Sequence, residues 1–170
     1  SQNLFVNYDI TPFGGNYAGK IFTAGLNLNL PSIIKHHAFK FGIFYEKQSP
    51  EKPLNNRYFF ASNILFSRGY QAEFFDKGFK FSADYVFPIW YPDIAVPQLM
   101  YIKRFKATLF FDYMDNEYFG VKYNCNSVGI DFTSDFHLFR IPVNIDMGIR
   151  FARQLETGLN SFEILLFGVP

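Results

Sequence analysis

Apolar and polar residues alternate with a period of two in many short stretches of this chain. In residues 21–30 (IFTAGLNLNL), every second position from Phe22 to Leu30 is Phe, Ala or Leu, and the positions between them are Thr, Gly and Asn. A period of two is that of a β-strand, because successive side chains of a strand point to opposite faces. No stretch of the sequence keeps the 3.6-residue period of a helix over three turns. The chain is therefore predicted to be all-β.

Eight stretches of this kind predict eight strands, which we place at residues 21–30, 37–46, 57–66, 79–87, 101–113, 125–133, 143–151 and 161–167. The third of them, 57–66, has the least clearly divided faces. The stretches between the strands contain nearly all the Pro and many of the Asn and Gly residues, as turns do. The hairpin-like spacing favours an antiparallel sheet, and the length of 170 residues is that of one domain, spanning 1–170.

Alternation does not decide which face of the sheet is inside. In a soluble β-sandwich or a lipocalin, the apolar face points inward and the polar face contacts water. In an outer-membrane barrel, the apolar face contacts lipid and the polar face lines the lumen. The predicted strands are about ten residues long, the length that a tilted strand needs to cross a bilayer. Strand length therefore favours the membrane barrel.

The side-chain composition favours the same interpretation. Aromatics make up 21% of the residues, with 24 Phe and 11 Tyr, and they crowd strand ends such as 58–60 and 87–91. Rings at strand ends are typical of the aromatic girdles at membrane interfaces. The polar face combines Gly, Asn, Ser and Thr with charges of both signs, namely Lys80, Asp84, Arg104, Lys106, Asp112, Asp131, Asp146, Arg150 and Glu163. Mixed charges suit a lumen in which buried charges are paired.

One short motif carries a resemblance to a known family. Residues 67–70 read Ser-Arg-Gly-Tyr, which resembles the (Val/Leu)-Arg-Gly-(Phe/Tyr) signature of the BamA-like superfamily of outer-membrane barrels. That superfamily includes β-barrel insertases and two-partner secretion transporters. In it, the motif lies in a long extracellular loop that folds back into the barrel. The resemblance implies that residues 67–77 are extracellular and that the turns around 47–56, 88–98 and 134–142 are periplasmic.

Two further features follow the motif in the family's order. Asp84 lies in a strand that ends at Phe87-Pro88, and Phe110-Phe111-Asp112 is similar to the family's Phe-x-Asp-x-Gly, with Met114 at the glycine position. The resemblance implies that Asp112 faces the lumen and pairs with Arg68. The chemistry of arginine leads to the same expectation, because a guanidinium on a loop inside a lumen needs carboxylates, and Asp112 or Asp84 would supply them. Gly69 is expected to allow a tight turn and Tyr70 to cap it. We call Arg68, Gly69, Tyr70, Asp84 and Asp112 the latch.

The resemblance covers most of the chain and matches its strands to the second half of a sixteen-stranded barrel. We therefore expect an antiparallel transmembrane β-barrel of a bacterial outer membrane, either a whole eight-stranded barrel or the C-terminal half of a larger one. The implied function is protein insertion or translocation at that membrane. The expected partners are the lipid bilayer and either assembly or secretion subunits of the outer membrane or, if the chain is half of a larger barrel, the other half. Two alternatives stay open: a closed eight-stranded structural or adhesion barrel without transport activity, and a soluble lipocalin-like barrel that binds an apolar ligand.

Other kinds of chemistry find little support in the sequence. The net charge of +1 gives no electrostatic case for nucleic acid. The single cysteine, Cys125, excludes an internal disulfide framework, and adjacent His36 and His37 would point to opposite faces of a strand. We find no nucleophile with a matching base, so we expect no enzyme, no cofactor and no metal site. The first residues lack the pattern of a signal peptide, which we expect to be absent or already removed.

Overall fold

The computed structural model describes residues 1–11, 18–50, 58–96, 100–138 and 145–168. The strands in these ranges are β1 (Gln2–Ile10), β2 (Gly19–Pro31), β3 (Ala38–Pro50), β4 (Lys77–Trp90), β5 (Ile94–Val96), β6 (Met100–Tyr118), β7 (Val121–Asn124), β8 (Ser127–Leu138), β9 (Ile145–Gln154) and β10 (Asn160–Gly168). No helix occurs in the described ranges, so none there could span a membrane. The prediction of an all-β chain is confirmed.

The ten strands form one antiparallel sheet. Its main path runs β1-β2-β3-β4-β6-β8-β9-β10, and the short strands β5 and β7 pair with opposite ends of the 19-residue strand β6. Each strand on this path pairs with its neighbours in the antiparallel sense. The sheet is not closed, since β1 and β10 form its two edges. The expectation of a barrel closed by these eight strands is therefore wrong for the described chain.

The strand predictions need correction in several places. The short strands β5 and β7 lie outside the predicted strands. Residues 58–66 of the predicted strand 57–66 form no strand, and residue 57 lies outside the described ranges. Here the side chains of Ser62 and Asn63 bond to backbone and to other strands, which replaces a ladder. Conversely, residues 2–10 form β1, which was not predicted; Leu4, Val6 and Tyr8 alternate with Asn3, Asn7 and Asp9, but Phe5 interrupts the polar positions.

The missing strand also changes which connections share an end of the sheet. With no strand at 58–66, the chain between Pro50 and Lys77 joins two adjacent antiparallel strands. Residues 47–50 and 67–77 therefore belong to the same end of the sheet, and the prediction that they lie on opposite sides is wrong; residues 51–56 lie outside the described ranges. Of the predicted turns at the other end, 88–90, 94–96 and 134–138 are strand, and 97–98 and 139–142 lie outside the described ranges.

The two faces of the sheet differ sharply in polarity. One face, which we call the outer face, carries a continuous apolar row from β2 to β10: Leu30, Phe39, Tyr85, Leu109, Ile130, Phe151 and Phe162. Its edge residues are highly exposed, with Phe162 at 65% and Ile164 at 78%. The inner face carries polar residues that are buried, among them Thr23, Glu46, Lys80, Asp112 and Asp131. The sheet thus exposes its apolar side and buries its polar side.

Gly129 on the inner face of β8 leaves no room for a side chain. A Cβ added there would lie 2.4 Å from Cζ of Phe110 and 2.2 Å from the carbonyl oxygen of Phe151. We expect Gly129→Ala to cost about 1–3 kcal/mol of unfolding free energy, because strand and ring must both shift. Urea unfolding of the protein would measure this loss. Gly120→Asn is the control, since no atom lies within 4 Å of a Cβ at Gly120 and Asn tolerates its positive φ of 77°. Equal losses in both variants would contradict the packing role of Gly129.

Candidate functional site

Residues 58–76, which we call the inner segment, cross the inner face from β2 to β10. Near its start, the Asn63 backbone N–H donates to Oε2 of Glu46 over 2.8 Å, and the Asn63 side chain donates to Oγ1 of Thr23 over 3.2 Å. Glu46 and Thr23 are fully buried. The first anchor of the inner segment is therefore a hydrogen-bonded cluster on β2 and β3.

A buried lysine provides the second anchor. Nζ of Lys80 on β4 donates to the carbonyl oxygens of Leu65 and Phe66 over 2.9 and 3.1 Å. The same Nζ lies 3.9 Å from Oδ2 of Asp112. Because a buried ammonium needs acceptors, Lys80 fixes the backbone just ahead of Arg68.

The structure brings three of the latch residues together. Arg68 Nη2 lies 2.6 Å from Oδ1 of Asp84 and 2.7 Å from Oδ1 of Asp112, and Arg68 Nε donates to Oδ2 of Asp112 over 2.8 Å. The Arg68 backbone N–H donates to the same Oδ2 over 3.0 Å. Burial lowers the pKa of the Arg68 guanidinium, but its hydrogen bonds to both carboxylates outweigh burial and keep the pKa above its ordinary value. Arg68 is thus a charged, bidentate ligand of β6 that also binds β4.

The other two latch residues, Gly69 and Tyr70, lie near β9, β10 and the turn between these strands. Gly69 has a φ of 84°, and a Cβ there would lie 2.9 Å from both Cβ of Ala152 and Oγ of Ser161. The Gly69 carbonyl accepts a hydrogen bond from Nε2 of Gln154 over 2.7 Å. A residue with a side chain is excluded here by both its backbone conformation and its surroundings.

Tyr70 reaches the turn that joins β9 to β10. Its hydroxyl donates to the carboxylate of Glu156 and lies 3.1 Å from the carbonyl oxygen of Asn126. Burial raises the pKa of Tyr70, and the Glu156 carboxylate raises it further. The ring packs with Phe66 against Phe75, Met114 and Cys125, so Met114 belongs to a small apolar core.

The ring of Phe110 lies beneath the guanidinium groups of the site. The Arg68 guanidinium carbon lies 3.9 Å from its ring centroid, and that of Arg150 lies 5.6 Å away. Arg150 in turn binds both oxygens of Asp131, at 2.8 and 2.9 Å, and Glu163 at 3.2 Å. Phe110 therefore contacts two guanidinium groups whose carboxylate partners come from different strands.

Several residues that hold the inner segment were not predicted to do so, namely Glu46, Asn63, Phe110, Asn126, Gln154 and Glu156, and Lys80 was predicted only as a charge on the polar face. Glu46 lies at a polar position of a predicted strand and Gln154 in a predicted connection between strands, so neither stood out. Among the described residues, no three His, Cys, Asp or Glu side chains converge as metal ligands would. The site therefore offers ion pairing and hydrogen bonding, and its lining also forms a cavity of about 710 Å³ that includes Phe5, Asn27 and Ser82.

The fold and the site define a class: an open, antiparallel all-β sheet with an inner segment paired through arginine to its polar face. Comparison with family models, with curated proteins and with solved structures found no match to the chain.

We expect Arg68→Ala to reduce the unfolding free energy by about 3–5 kcal/mol, because the carboxylate of Asp112 is fully buried and loses its main partner. Chemical unfolding would measure this loss. In the double variant Arg68→Ala/Asp112→Asn, part of the loss should be recovered, because the fully buried position 112 no longer carries a carboxylate that lacks its arginine. Arg153→Ala is the matched control, since Arg153 is exposed on the outer face. A loss no greater than that of the control would refute a structural role of the latch.

Phe110→Leu keeps an apolar side chain but removes the ring beneath Arg68. We expect a loss of about 1–2 kcal/mol of unfolding free energy for the partly buried cation–π contact. The same substitution in the Arg68→Ala background should cost less, since only the Arg150 contact remains. A double-mutant cycle from denaturant unfolding gives this coupling directly. Zero coupling between Phe110 and Arg68 would show that the ring acts only by filling space.

Proposed function

We propose that this chain belongs to an outer-membrane β-barrel protein of a Gram-negative bacterium that inserts or translocates proteins at that membrane. The single observation that carries the proposal is the Arg68-Gly69-Tyr70 motif, paired to Asp84 and Asp112 on the polar face of a sheet whose apolar face is exposed.

The outer face suits contact with lipid. In water, an apolar row that crosses seven strands would be an exposed hydrophobic patch of a size that monomeric soluble proteins avoid. In a bilayer, the same row would contact hydrocarbon chains. The eight strands of the main path have 9 to 19 residues, enough for each to cross a bilayer when tilted.

Aromatic residues at the strand ends suit the interfaces of a bilayer. Trp90 and Tyr91 are exposed at the end of β4, and the Trp90 ring stacks on Phe105 with centroids 6.0 Å apart. Tyr8 is exposed near the opposite end of the sheet, at the end of β1. Rings of this kind prefer the headgroup region on each side of the hydrocarbon layer.

The inner segment favours a barrel larger than eight strands. An eight-stranded barrel has an interior that side chains alone fill. Here a stretch of backbone lies against the inner face, and Lys80 and Asp112 bind its backbone groups. The free edges of β1 and β10 would need partners in a membrane, where unpaired backbone groups are costly. We therefore place the chain in half of a larger barrel, in which further strands complete the sheet.

The implied activity follows from the family that the motif resembles. A segment held inside the lumen by charge pairs occupies the space through which a pore would conduct. Because the inner segment is bonded to several strands, a movement of the segment would also shift the strands that form the barrel wall. Both features suit a protein that handles other polypeptides at the membrane, and this part of the proposal rests on the resemblance.

The native gene product tests the proposal. We expect it to stay with the outer-membrane fraction after an alkaline carbonate wash, and to migrate faster in gels when unheated. Its intact mass should be well above the 19.8 kDa of this chain. A membrane-bound product of about 19.8 kDa would favour a small structural or adhesion barrel. Release by carbonate would favour a soluble, lipocalin-like protein, and either result would overturn the proposal.

A further inference from the structure

Beyond the ion pairs of Arg68, a second set of contacts holds the tip of the inner segment. We propose that Gln154 and Glu156 are positioning residues that clamp Gly69 and Tyr70 to the β9–β10 hairpin. Through them, the docking of the inner segment is coupled to the position of the edge strand β10. We call Gln154 and Glu156 the hairpin clasp. The contacts of the clasp do not depend on the proposed function. Only a biological role for moving the edge strand β10 rests on that function.

Glu156 joins three separate parts of the chain. Its Oε2 accepts a hydrogen bond from the backbone N–H of Asn126 over 2.9 Å and another from the Tyr70 hydroxyl. Asn126 is itself fixed by two further hydrogen bonds. Its Oδ1 accepts one from the backbone N–H of Met114 over 3.1 Å, and its carbonyl oxygen accepts one from the backbone N–H of Leu155 over 2.9 Å. One carboxylate therefore links the inner segment, the turn before β8 and the β9–β10 turn.

Gln154 is held in a single orientation. Its Nε2 donates to the Gly69 carbonyl over 2.7 Å, while its Oε1 accepts from Oγ1 of Thr157 over 2.5 Å. Because both ends of the amide are engaged, Gln154 cannot turn away without breaking a bond in its own turn. This geometry makes Gln154 a fixed point for the tip of the inner segment.

The tip also lies close to the edge strand. A Cβ added at Gly69 would lie 2.9 Å from Oγ of Ser161, so there is no room for a side chain between the tip and β10. Along the main path of the sheet, β10 pairs only with β9, so its position depends on that strand and on what lies against its inner face. A shift of β10 toward the inner face would therefore bring it against the docked tip.

The clasp and the ion pairs lie on different strands. Arg68 binds β4 and β6, whereas Gly69 and Tyr70 bind the end of β9, the turn that follows and the turn before β8. Removing the clasp should consequently free the tip and the hairpin while leaving the Arg68 pairs intact. This separation makes the two sets of contacts distinguishable by experiment.

Hydrogen–deuterium exchange on the full-length native protein, kept in detergent only if it is recovered from a membrane, tests the clasp. Tyr70→Phe removes only the hydroxyl, and Glu156→Ala removes the carboxylate. In both variants we expect exchange to accelerate roughly tenfold or more in residues 67–72 and also in 160–166 of β10. Glu156→Gln keeps an acceptor oxygen and should restore much of the protection. Glu73→Ala, at an exposed carboxylate of the inner segment, is the matched control and should change neither region.

The response of β10 decides the proposal. If Tyr70→Phe accelerates exchange only in residues 67–72 and leaves 160–166 unchanged, coupling is refuted. If neither region changes in Tyr70→Phe or Glu156→Ala, the clasp itself is refuted. If Glu156→Ala fails to fold, Tyr70→Phe still gives the answer, because its ring packing is retained. These exchange results stand whether or not the native product proves to be a membrane protein.

Discussion

A buried guanidinium that must be paired is the constraint on which the arrangement of this sheet depends. Arg68 is carried into the interior by the inner segment, and only carboxylates on the inner face can balance its charge there. Asp84 and Asp112 lie on adjacent strands, where the pairing of Ser82 with Asp112 sets the spacing between them. The pairing of β4 with β6 thus places two carboxylates where both can bind Arg68, and this pairing positions the inner segment.

The sheet buries its polar face and exposes its apolar face because the inner segment lies on the polar side. Polar residues occupy the face that the inner segment covers, and their hydrogen bonds go to backbone groups that a loop otherwise leaves unsatisfied. Glu46, Lys80 and Asp112 each bind a backbone N–H or carbonyl of the segment. Apolar residues are left on the outside, where they form a surface suited to hydrocarbon chains. One arrangement of charges therefore explains both the buried polar face and the exposed apolar face.

Local pattern predicted most of the strands but failed where side chains outside the pattern decide the structure. Residues 58–66 contain enough aromatic and β-branched residues for a strand, yet Asn63 bonds across to Thr23 and Glu46 and draws the backbone out of any ladder. In β1, the inward Phe5 interrupts the polar positions and masks the alternation. The aspartates near Arg68 were predicted because a charged motif inside a polar face needs partners. Gln154 and Glu156 were not, because nothing near them in sequence marks them as neighbours of the motif.

The sequence by itself determined the all-β class, the alternation of the strands and the residue types that pair with Arg68. These are local properties, since a strand's period and an arginine's need for carboxylates can be recognised within a few residues. Only the tertiary structure decided that the sheet stays open, that the segment after β3 lies across it, and that Tyr70 meets Glu156. Those two residues are 86 positions apart. Contacts over such distances depend on how strands assemble into a sheet, and no periodicity within one strand encodes that assembly.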